Sequence, residues 1–114
     1  MSKKFLKELR NTFREGVFQR DKYQCKICGK PESPECHLDA HHITDRHDMP
    51  NDGYALSNGI TLCPQHHLDA EEFHQSNQTK WVRGFRPEDL YTLIGSSYQI
   101  AHHDCLGLTH PTKK

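Results

Sequence analysis

Two interleaved spacings of metal-binding side chains dominate this chain. Cys25-x-x-Cys28 is followed by Cys63-x-x-His66, and His41-His42 is followed by Asn58 and then His67. Zinc favours tetrahedral Cys and His sets, and two ligands separated by two residues reach one ion from a single turn. The first series therefore predicts a structural zinc on Cys25, Cys28, Cys63 and His66. Cys36 or His37 stands as an alternative fourth ligand, and a further site on His102 or His103 with Cys105 stays open. The second series offers different chemistry. One imidazole can hold a divalent ion while another, kept neutral, takes a proton from water. Hydrolysis of a phosphodiester needs both: a base for the nucleophile, and a cation for the charge on the phosphoryl and leaving oxygens.

These side chains need elements to position them. Pro64 suits the first turn of a helix, expected to run to about Gln75. Successive helical residues lie about 100° apart around the axis, so His66 can face the zinc while His67 faces a second site. His67 shares its side of that helix with Glu71 and His74. Residues 37–43 form a candidate strand carrying His41 and His42, and residues 59–63 a second. Between them, residues 44–58 read as a long loop with Pro50, Asn51-Asp52-Gly53 and Asn58-Gly59. Adjacent strand residues point to opposite faces. His41 and His42 can therefore serve one site only if the strand bends or ends there.

Upstream, Phe5, Leu9, Phe13 and Val17 recur every four residues and predict an amphipathic helix over residues 3–20, with Ser2 as its N-cap. Lys3, Lys7, Arg10 and Arg14 form a basic stripe along it. Residues 21–24 are the exit, 25–30 a zinc knuckle, and Pro31 and Pro34 break regular structure. Downstream, residues 87–94 read as a short helix ending at Gly95, with Leu90, Leu93 and Ile94 packing inward beside Trp81 and Phe85. From Gln99 onward, through His102, His103, Cys105 and His110, no periodicity is visible.

Composition narrows the class. A chain of 114 residues is one domain, and 33% hydrophobic content with a mean hydropathy of −0.91 makes a thin core that a structural metal would support. Five cysteines do not close into a disulfide set, and no signal-like or membrane-spanning run is present. Reduced thiols and a cytoplasmic setting are the expectation. The formal net charge is zero, but it is unevenly spread: +6 over residues 1–30, −8 over 31–79 and +2 over 80–114. Two basic ends flank an acidic, histidine-rich centre, so the ends could grip a polyanion.

Cys25-x-x-Cys28, His41-His42-Ile43, the run Asn58-Gly59-Ile60-Thr61-Leu62-Cys63 and Cys63-x-x-His66-His67 together resemble the zinc-containing branch of the HNH endonuclease family, over roughly residues 14–75. The resemblance implies an α+β fold: a small zinc-stabilised ββα-metal, treble-clef-like core. Residues 1–79 would form the nuclease domain and 80–114 a C-terminal extension that packs or contacts DNA. It implies that His41 and His67 bind the catalytic ion, with Glu71 and His74 as further candidates, that His42 is the general base, and that Asn58 pins the loop and approaches the ion. Arg46 resembles a phosphate contact. The ion would be Mg²⁺ or Mn²⁺, with Ni²⁺ or Zn²⁺ also suited to imidazole. Two departures stand out: His66 replaces the family's usual fourth Cys, and Asp45 stands where a proline is common.

The resulting expectation is a nicking or loosely specific endonuclease, a monomer or weak dimer. It would bind the backbone of double-stranded DNA through Arg46, Lys3, Lys7, Arg10, Arg14, Arg83 and Arg86, with no membrane role. The alternatives are a non-catalytic zinc adaptor for DNA or protein and a toxin-type nuclease domain, the latter disfavoured by a short chain that begins at Met1.

Overall fold

The four-residue apolar repeat of the N-terminal segment is realised as α1 (Lys3–Arg20), which buries Phe5, Phe13, Val17 and Phe18. The structure, a computed structural model, describes residues 3–108. The Ser2 cap and His110 therefore lie outside the described residues. Within them the chain is α+β. Strands β1 (Asp39–His42) and β2 (Gly59–Leu62) form one antiparallel sheet, with His41 opposite Ile60 and His42 opposite Gly59. Helices α2 (Pro64–Gln75), α3 (Pro87–Leu93) and α4 (Tyr98–Leu106) follow. No described helix is long and apolar enough to cross a membrane.

The end of α1 is fastened to β2 by charge. The Arg20 guanidinium donates to the carbonyls of Leu56 (2.8 Å) and Gly59 (2.7 Å) and grips the Asp21 carboxylate on both oxygens. Asp21, 6% exposed, accepts the Thr61 N–H at 2.9 Å, so its buried charge is fully engaged. The close approach also explains Gly59. A Cβ there would lie 2.6 Å from both Phe13 Cζ and Val17 Cγ2, so only glycine lets β2 start against α1.

β1 is shorter than the candidate strand because its entry is diverted. The Leu38 N–H donates to Glu32 at 2.8 Å instead of to a neighbouring strand. The long loop is structured, with 3₁₀ turns at Arg46–Asp48 and Leu56–Asn58 on either side of a left-handed turn through Asn51 and Asp52. The C-terminal segment differs from expectation in two ways. Residues 98–106, without visible periodicity, form α4, capped by the Ser97 hydroxyl accepting from the Ile100 N–H. Leu93 and Trp81 face outward at 43% and 44% exposure, while Leu90 and Phe85 join the core. Trp81 is held outside by the Arg86 guanidinium, 4.7 Å above its ring.

Candidate metal centres

The knuckle forms because the chain reverses tightly after Cys25. The Cys25 N–H donates to the Lys30 carbonyl and the Gly29 N–H to the Cys25 carbonyl, with Gly29 at a left-handed φ of 79°. Opposite it, Cys63 caps α2 and His66 lies on the first turn. The donor atoms of Cys25, Cys28, Cys63 and His66 all lie within 4.8 Å of one another. His66 Nδ1 stands 3.3 Å from Cys63 Sγ and 3.6 Å from Cys25 Sγ, and the Cys28 and Cys63 sulfurs are 3.9 Å apart. Zn–S bonds of about 2.3 Å and Zn–N bonds of about 2.0 Å set tetrahedral edges of about 3.8 Å (S···S) and about 3.5 Å (S···N). The four residues therefore fit a structural metal such as zinc.

The environment favours the thiolate at Cys25 and disfavours it at Cys28, whose thiol burial raises. Burial works to raise the Cys25 thiol, but the backbone groups of Cys28, Cys63 and Ile27 and the His66 ring together bring it down to about 6. The His66 ring stacks on Phe85, 5.7 Å between centroids. The alternative ligands stand elsewhere. His37 is exposed and pairs with Glu32 at 2.7 Å. Cys36 is half-buried, in a bridge with Ser33. Cys105 is a core residue, and neither His102 nor His103 joins it in a ligand cluster among the described residues.

A second group of donors gathers where β1 faces α2. His41, His67 and Glu71 bring one ligand atom each within 4.8 Å of the others. Glu71 Oε2 lies 3.1 Å from His41 Nδ1 and 3.3 Å from His67 Nε2. His41 is 1% exposed, yet neither of its ring nitrogens makes a hydrogen bond, Nδ1 having only the ion-pair contact with Glu71 at 3.1 Å. Burying a polar atom without a partner costs roughly 1–3 kcal/mol, and a bound cation would remove that cost. Burial holds His41 below the usual histidine range, so the ring is neutral and free to ligate. Glu71 is held well below the carboxylate range, first by His41 and then by His67. His67 is raised, first by Glu71 and further by Asp39.

Strand alternation and helical spacing build this arrangement. Asp39 and His41 share one face of β1, and Asp39 Oδ2 accepts from His67 Nδ1 at 3.1 Å. That bond fixes the His67 ring with Nε2 turned toward Glu71. The sequence reading missed Asp39, although its position two residues before His41 carries the signal. His74 behaves differently from a ligand. Its Nε2 donates to the His42 carbonyl at 3.1 Å, and its ring stacks on His41.

His42 is the last residue of β1, and the strand ends there. Its ring stacks on Phe13 at 4.5 Å and meets Tyr54 edge-on at 5.1 Å. His42 still lines the same cleft, of about 480 Å³, as His41, His67, Glu71 and His74. Its Nε2 is enclosed without a partner, so Nδ1 is left by elimination as the nitrogen that can meet water. Burial, then the proximity of His41 and Arg46, push the His42 ring down to about 4, so it is neutral near pH 7.

Asn58 is 0% exposed and does not line the cleft. Its amide donates to the carbonyls of Thr44 and Gly53 and accepts from the Thr44 N–H, tying the two ends of the loop together. Arg46 is at the cleft edge, over the Tyr54 ring and 3.8 Å from Asp52. Lys3, Lys7, Arg10, Arg14, Arg83 and Arg86 are exposed but do not line the cleft.

No family model, curated protein or solved structure matches this chain. The geometry of the two clusters is therefore what bears on function.

Proposed function

We propose that the protein is a metal-dependent DNA endonuclease of the HNH, ββα-metal type. The observation that carries this reading is buried His41, its ring nitrogens unpartnered beside Glu71 and His67, opening into a cleft that His42 also lines. The order β1, β2, α2 suits a ββα-metal core. His41, His67 and Glu71 would hold a divalent cation, which when bound supplies positive charge to the phosphoryl oxygens and the departing 3′-oxygen.

The chain's own groups account for the rest. His42 Nδ1 accepts a proton from water as the water oxygen bonds to phosphorus in line; the P–O3′ bond breaks, and solvent protonates the released oxygen. The products are a 5′-phosphate and a 3′-hydroxyl. Asp39 orients His67, while His74 and Asn58 hold the backbone around His42. Arg46, the α1 stripe and Arg83 and Arg86 would meet phosphates, which positions DNA without reading its sequence. A non-catalytic zinc adaptor would account for the sulfur-rich quartet but gives no use to the His41–His67–Glu71 group.

Supercoiled plasmid incubated with Mg²⁺, Mn²⁺, Ni²⁺ or Zn²⁺ tests the reading. Wild type should nick it, and His42→Ala should lower the rate by about 10²–10⁴-fold with folding and DNA retention intact. Failure of wild type with every ion removes the nuclease reading. Full activity in His42→Ala removes His42 as the base.

A further inference from the structure

We propose that Tyr91, on α3 and outside the β1–β2–α2 unit, is a positioning residue that acts through Asn58 on the loop beginning two residues after His42. This rests on the nuclease reading above. The Tyr91 hydroxyl donates to Asn58 Oδ1 at 2.7 Å and lies 2.6 Å from Thr44 Oγ1. A phenol carries one proton, and an amide oxygen can only accept. Tyr91 therefore donates to Asn58, and Thr44 donates to Tyr91. With that bond Asn58 uses its whole capacity: two donations, to Thr44 and Gly53, and two acceptances, from the Thr44 N–H and Tyr91. The amide cannot flip, and it has nothing left for an ion.

The relay is built for a protonated phenol. Tyr91 is 3% exposed, and burial pushes its hydroxyl up to about 12. The loop turns through left-handed φ values of 52° at Asn51 and 61° at Asp52, a region these two residue types tolerate. Gly53 admits no side chain, since a Cβ would lie 2.8 Å from Asn58 Nδ2. The C-terminal helices supply further ties. Asn51 Nδ2 donates to the Cys105 carbonyl, the Ser57 hydroxyl to Asp104, and the Ser96 hydroxyl to the Ser57 carbonyl. Residues 80–108 thus clamp the loop that sets the His42 backbone.

Tyr91→Phe keeps the ring and removes the donor. Turnover at saturating DNA and ion should fall about 10-fold, with KM within about 2-fold, as for loss of a group orienting a reactive side chain. Combined with Asn58→Ala it should cost no turnover beyond Asn58→Ala alone, as expected if Tyr91 acts only through Asn58; a merely stabilising contact would instead lower the melting temperature and leave turnover unchanged. Independently of cleavage, the Thr44 N–H should exchange with solvent about 10-fold faster, while the Thr61 N–H bound to Asp21 should not change. Unchanged Thr44 exchange, or additive effects with Asn58→Ala, overturns the proposal. If wild type cleaves nothing, the nuclease reading fails and the exchange measurement alone decides the clamp. Should Tyr91→Phe not fold, Thr44→Val removes the hydroxyl behind Tyr91, and unchanged Asn58 side-chain amide exchange there is equally decisive against it.

Discussion

The sulfur-rich quartet and the imidazole–carboxylate group meet at successive residues of one helix, His66 and His67, yet they differ in build. The quartet is closed: four protein donors at tetrahedral edge distances, two buried cysteines and a Phe85 lid over His66. It has no position for a substrate. The second group has three donors, of mixed nitrogen and oxygen type, at the wall of an open cleft. On the endonuclease reading, a cation held there by three donors would keep positions for water and phosphate. Donor count, more than donor identity, separates holding from reacting.

The largest effect should come from breaking the closed member of the pair. Zinc binding in small domains is worth about 10–16 kcal/mol, against about 5–15 kcal/mol for the whole stability of a domain. Cys63→Ser, or stripping wild type with a chelator, should abolish the cooperative thermal transition seen by circular dichroism. Elemental analysis should find one tightly held zinc per wild-type chain. A folded, zinc-free variant would show that the quartet is not the anchor.

The open member should respond more gently. Asp39→Asn removes the carboxylate that holds His67 Nδ1, so ion affinity or cleavage should fall about 10–100-fold while the melting transition stays in place. Titration calorimetry with Mn²⁺ reads this directly, and equal affinity in the two proteins would remove Asp39 from the site. Smallest is Glu32→Gln, in the stretch joining the two regions. The Leu38 N–H, then His37, hold the Glu32 carboxyl below its ordinary value of 4.5. A lowered acid stabilises the fold above its unfolded pKa, and that contribution disappears as pH falls through the folded value. The variant should melt slightly earlier than wild type at pH 7 and alongside it in strong acid; a gap that persists in acid would point to packing, not charge.

Legibility followed periodicity and ligand spacing. α1, the knuckle and α2 could be read because each carries a repeat or a fixed offset: Phe5 to Val17, Cys25 to Cys28, Pro64 to His67. α4 could not, because its buried residues are only Ala101 and Cys105, too small and too few to mark a face. Leu93 and Trp81 misled in the opposite sense: both are large and apolar, but outward exposure of such residues is common. The cluster residues were visible by type. The groups that aim them were not: Asp39 reaches His67 across 28 positions and Tyr91 reaches Asn58 across 33. Such pairings are set by tertiary packing, which no local pattern records.

One peptide unit joins His66 to His67. Whatever disturbs the anchor is therefore delivered to a member of the second cluster within a single link of chain. On the endonuclease reading, a cell that rations trace metal would throttle strand breakage at its source, since a scaffold emptied of zinc can no longer aim its hydrolytic machinery.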